Sequence, residues 1–128
     1  MDATDYSHNI EINVVTAYLP DQSEPDAHRF VFSYQISITN HNTESVQLLS
    51  RQWRITDGNE HVQEVEGEGV VGEKPVIEPG QTYQYTSGTV LATEVGSMQG
   101  VYHMTTTDEV TFDAPIQTFT LAQPNALH

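Results

Sequence analysis

The chain has 128 residues, with 18 Asp and Glu against 4 Lys and Arg, 6 His, a formal net charge of −14 and no cysteine. One compact domain of this size buries enough surface to need no covalent staples, and the missing thiols exclude a disulfide framework, a thiolate metal site and a cysteine nucleophile. Such a negative surface repels polyphosphate and anionic lipid, so nucleic-acid binding and membrane insertion are not expected, while basic protein patches and metal ions are attracted.

The opening Met1-Asp2-Ala3-Thr4-Asp5-Tyr6 has neither positive charge nor an apolar run. It does not read as a secretory signal, and no stretch approaches the length of a membrane span, so a cytoplasmic protein is expected. A single domain over 1–128 is expected, with its ordered core at about 10–124. Ile10, Ile12 and Val14 alternate, then Val15, Ala17 and Leu19 continue on the opposite phase. That slip predicts a bulge or a change of sheet at Val14-Val15. Phe30, Phe32, Tyr34, Ile36 and Ile38 then alternate with Val31, Ser33, Gln35, Ser37 and Thr39, which predicts a central strand over 29–40. Asn40-His41-Asn42 reads as a turn.

Leu49, Arg51, Trp53 and Ile55 share the next apolar face, with Trp53 as core anchor. Thr56-Asp57-Gly58-Asn59 predicts a hairpin in which Gly58 supplies a positive φ, and the returning strand covers about 60–66. Residues 67–80 form a long connection with a short extended piece at Val76-Ile77 and a turn at Pro79-Gly80. Further strands are expected at 81–87, at 96–106 and at 110–122, with 89–95 as strand or loop and Pro115 at an edge or bulge. No amphipathic helix is expected. Seven or eight short strands with regular turn signals define an all-β, two-sheet antiparallel sandwich.

Gly67-Glu68-Gly69-Val70-Val71-Gly72 fits G-x-G-x-x-G. A dinucleotide site requires a helix to start within those glycines, and Pro75 and Pro79 deny it one. Three other readings stay open. The glycines allow close packing, the loop amides form a phosphate nest, or Val70-Val71 is an exposed apolar tip ringed by acids. Glu64, Glu66 and Glu68 alternate, so a strand through them places carboxylates ~6.6 Å apart on one face. That is a divalent-cation candidate or a solvated edge that resists strand pairing. No two of the six histidines stand at metal-ligand spacing, and no nucleophile elbow surrounds Ser87. Tyr83 and Tyr85 form a recognition stripe or half-buried sheet positions. No catalytic residue and no cofactor is expected.

Several blocks in order resemble one known family. They are Val46 to Gly58, then Val65 to Gly72, Glu78-Pro79-Gly80, Tyr83 to Gly88, Gly96 to Tyr102, and Phe119 to Pro124. Together they resemble the ApaG family over about residues 10–128. The segment Thr105 to Glu109 departs from that pattern by lacking a glycine. The resemblance implies an immunoglobulin/fibronectin type III-like sandwich and a bacterial cytoplasmic protein. It also implies a label for cobalt and magnesium resistance or efflux and a gene often beside that of a diadenosine tetraphosphate hydrolase. Related eukaryotic domains imply binding of other proteins. A chain without an apolar span can take part in efflux only indirectly. The function expected is therefore a non-enzymatic binding or protein-interaction module that docks a protein partner. Its site is expected at Gly67, Glu68, Gly69, Val70, Val71, Gly72, Tyr83 and Tyr85. The alternative is a nucleotide, pyrophosphate or divalent cation at the Gly67–Gly72 loop, with Glu64, Glu66 and Glu68 as the metal candidates.

Overall fold

A computed structural model describes residues 3–124. Eight strands follow a short helix α1 (Ala3–His8). They are β1 (Ile10–Tyr18), β2 (Phe30–Asn40), β3 (Val46–Asp57), β4 (Val62–Glu68), β5 (Val76–Ile77), β6 (Thr82–Leu91), β7 (Val95–Thr106) and β8 (Thr111–Ala122). All pairings are antiparallel. One sheet runs β1-β2-β6; the other runs β4-β3-β7-β8, with β5 also on β3. This is the expected two-sheet sandwich. Among the described residues no helix is long and apolar enough to cross a membrane.

Period-two patterning builds the core. Phe32, Ile36 and Ile38 from β2 meet Leu48, Trp53, Met98, Tyr102, Met104 and Leu121 from the facing sheet, all buried. Trp53 sits edge-on to Tyr34, Tyr102 and Phe119. Gly100 makes room for it, since a Cβ there would stand 2.8 Å from Trp53 Cε3. Trp53 Nε1 is, among the described residues, the one buried side-chain polar atom without a hydrogen-bond partner.

Several expectations need correction. The phase slip lies in β3, not β1. β1 pairs with β2 in unbroken register from Ile10↔Asn40 to Tyr18↔Phe32. Val15 simply faces outward, 65% exposed. The register shift falls between Leu48 and Ser50, and it lets Leu48 and Trp53 both face the core although an odd number of positions separates them. A helix absent from the sequence reading, α1, precedes β1 and sends Tyr6 into the core against Phe112. The Tyr6 hydroxyl donates to Glu44.

Gly58 does not carry the positive φ of its hairpin; Glu60 does, at 65°. Asp57 accepts from the N–H groups of Asn59 and His61 through Oδ1, and that closes a longer loop than a two-residue turn. Glu109 plays the same part, at 61°, in the β7–β8 hairpin where the sequence lacks a glycine. Elsewhere the turn signals hold. Gly80 at φ 80° follows Pro79, and Gln81 N–H donates to Glu78 O, as in a proline-glycine turn. Buried Asn40 donates to the carbonyls of Glu44 and Ile77 and accepts from Asn42 N–H. Pro115 lies on β8, an edge strand next to a second register shift at Met98/Gly100.

The two outer faces differ in charge. By alternation the three-stranded sheet shows solvent Asn13, Val15, Gln35, Ser37, Gln84 and Thr86, with Glu11 its only carboxylate. His41 lies 2.8 Å from Glu11, and hydrogen bonds from His41 and Asn13 hold that carboxyl below its usual pKa. The other sheet carries Glu64, Glu66, Glu68, Arg54, His103 and Asp113 outward.

Candidate functional site

The glycine segment closes as a strained hairpin at the end of β4. β3 and β4 pair without interruption from Thr56↔Val62 to Ser50↔Glu68. Gly67 lies opposite Arg51 and leaves room for its guanidinium, because a Cβ would stand 2.6 Å from Nη1. Arg51 Nη1 donates to the carbonyls of Glu68 (3.2 Å) and Gly69 (2.9 Å). Gly69 then turns at φ 60°, and its N–H donates to Leu49 O. A Cβ on Gly69 would stand 2.1 Å from Glu73 O.

Val70 and Glu73 exchange both backbone hydrogen bonds, at 2.8 and 2.9 Å. Between them Val71 and Gly72 sit at φ 48° and 81°, the two positive values of a mirror-image hairpin turn. Glycine suits that geometry; a β-branched valine is strained in it. Val70 anchors the tip at 0% exposure, whereas Val71 is 61% exposed. The expected apolar tip is thus one valine, not two.

Residues 70–80 contain the turn, β5 and the Pro79-Gly80 bend, and no helix. Within the hairpin the N–H groups of Gly69, Val70 and Glu73 are engaged by backbone carbonyls.

Glu64, Glu66 and Glu68 share the outer face, all exposed, across from Arg54, Gln52 and Ser50. Lys74 Nζ lies 3.3 Å from Glu68 Oε2. Among the described residues no three His, Asp or Glu side chains form a group able to hold a metal ion. An open groove of about 390 Å³ runs over Gln52, Glu66, Gly67, Glu68 and His103, and His103 Nδ1 lies 2.6 Å from Asp113.

Tyr83 and Tyr85 do not make a surface stripe. Tyr85 is a core residue whose hydroxyl shares a hydrogen bond with fully buried Tyr102 at 2.5 Å, and Tyr83 packs half-buried beside it. Burial pushes both the Tyr85 and Tyr102 phenols well above their ordinary value, and the nearby Arg51 charge opposes this in each. Arg51 pairs with Tyr102 across β3 and β7, on the same face of the sheet, and also reaches the hairpin. It is the site residue that sequence reasoning missed. The signal was present, since a charged residue on the apolar face of Leu49, Trp53 and Ile55 must find polar partners.

The geometry defines a class: an antiparallel sandwich with a strained, arginine-collared hairpin at the end of one sheet. Comparison with known proteins supplies the family. The ApaG domain model matches residues 20–106. Protein ApaG of Pseudomonas paraeruginosa is 55% identical over 125 residues, covering 98% of this chain and 99% of that protein. Protein ApaG of Azotobacter vinelandii is 52% identical over the same length and the same shares of each chain. A Bordetella pertussis chain solved under the name ApaA superposes with TM-score 0.89 and 44% identity, over 91% of this chain and 95% of that one. The chain belongs to the ApaG domain family.

Proposed function

We propose that this chain is a non-catalytic protein-interaction module whose contact point is the hairpin Val70–Glu73 and the adjoining outer face of β3 and β4. One observation carries the reading. An exposed valine is held in a left-handed conformation by a buried neighbour, reciprocal hydrogen bonds and Arg51. Strain of that kind persists only where the surroundings over-determine it, and it collects at ligand clamps and contact points. Surrounding carboxylates would steer a cationic partner, and cobalt or magnesium resistance would be exerted through that partner rather than by transport. The committed N–H groups of Gly69, Val70 and Glu73 weigh against a phosphate nest.

The test is affinity capture from a bacterial lysate with Val71→Asp as the paired control. Val70 must be left alone, because a buried carboxylate there would unfold the hairpin. Loss of a captured protein at unchanged Tm supports the module; identical capture by both forms refutes it.

A further inference from the structure

β4 has a free edge, and its hydrogen-bonding phase can be read. Asp57 N–H donates to His61 O, and Gly69 N–H donates to Leu49 O. These positions bracket the β3–β4 register and place the odd-numbered residues of β4 in hydrogen-bonded pairs with β3. Val62, Glu64 and Glu66 therefore turn their backbone N–H and C=O groups outward. Among the described residues no strand pairs with that side of β4. The edge has no proline, lysine or bulge, and the protection it does carry is its row of carboxylates, Glu64, Glu66 and Glu68. It closes at Glu68, whose carbonyl accepts from Arg51 and whose carboxylate pairs with Lys74.

The residues with outward backbone also carry carboxylates. A strand added antiparallel sets each hydrogen-bonded residue opposite one of β4, with both side chains on the same face. Glu64 and Glu66 form no salt bridge among the described residues. A second copy of this acidic chain would oppose carboxylates with carboxylates, so the row closes the edge to self-pairing. The free edge of β6, over Thr82–Leu91, carries no charge that would choose an occupant.

We infer that β4 accepts, by strand addition at Val62–Glu66, an extended partner segment with Lys or Arg at alternating positions. This rests on the protein-docking reading and names the chemistry of the segment that docks beside the hairpin. Backbone pairing supplies attachment, and the alternating cations supply register and choice.

The probe is a capped Lys-Val-Lys-Val-Lys-Val-Lys peptide, compared with a capped peptide of the same composition whose lysines form one block. The alternating peptide is expected to bind about tenfold more tightly than the block. Its affinity should fall as salt rises from ~0.05 to ~0.5 M, and the Glu64 and Glu66 amides should gain hydrogen-exchange protection. Glu66→Pro removes an outward N–H and leaves the β3 ladder intact, so it should abolish binding; the double variant Glu64→Lys with Glu66→Lys should do the same without a backbone change. Equal affinity for both peptides overturns the proposal, as does binding that survives the double variant, which carries the test if Glu66→Pro fails to fold. Failure here alongside loss of the lysate partner in Val71→Asp removes strand addition and leaves the docking module standing. Peptide binding alongside unaltered capture does the reverse.

Discussion

Removing the Tyr85 hydroxyl should cost more than its single atom suggests. In Tyr85→Phe the Tyr102 O–H loses its partner at 0% exposure, where no solvent can replace it. An unsatisfied buried hydroxyl costs about 1–3 kcal/mol. A chain of this length unfolds with an entropy of roughly 0.27 kcal/mol/K near its midpoint, so Tm should fall by about 4–11 °C. The reciprocal Tyr102→Phe should cost less, because Tyr85 keeps 8% exposure and some access to water. The double variant removes both hydroxyls and leaves neither orphaned. It should therefore be no less stable than Tyr85→Phe alone, with a coupling energy of about 1–2 kcal/mol. Urea denaturation of the four proteins, checked by calorimetry, measures this. Losses that simply add, within about 0.5 kcal/mol, would show that the two hydroxyls do not depend on one another.

Alkali should act on the same pair. Burial raises both phenols, so above about pH 10 the unfolded chain releases protons that the folded one keeps. Stability contributed below that pH is then lost at up to about 2.7 kcal/mol per pH unit; a urea midpoint unchanged from pH 9 to pH 11 would contradict the burial argument. Gly69→Ala drives a Cβ into Glu73 O and should destabilise by about 2–3 kcal/mol in urea titration, whereas Gly72→Ala, with open space around it, should suffer only the strain of its positive φ. Val71→Asn replaces a β-branched residue by one that tolerates φ 48° and should raise stability by about 0.5–1 kcal/mol; a measured loss would mean that the tip is not strained.

The parts of the fold legible in the sequence were those set by local periodicity. Phe30 to Ile38 declare β2 because one face is buried along its whole length. The two adjacent leucines, Leu48 and Leu49, hid the bulge, since either could begin the inward phase. Val14-Val15 mimicked one because an edge strand can leave a valine in water. Positive φ at Glu60 and Glu109 escaped notice because loop length, not residue type, places it there. At the site, the glycines marked a tight connection and the prolines denied it a helix. The reach of Arg51 was hidden, because it depends on contacts with residues 17 and 18 positions away; the burial of Val70 depends on tertiary packing that no local pattern marks.

The two outer sheet faces differ in how many carboxylates they present. A body charged evenly all round would draw cations from every direction and hold most of them in useless orientations. Here the outer face of β1, β2 and β6 carries one carboxylate, Glu11, and the opposite outer face carries Glu64, Glu66, Glu68 and Asp113 against Arg54. On the protein-docking reading proposed above, attraction would come with torque: a cationic partner would be turned toward the carboxylate row before any surfaces touch, and the rotational search that slows most encounters would be shortened in advance.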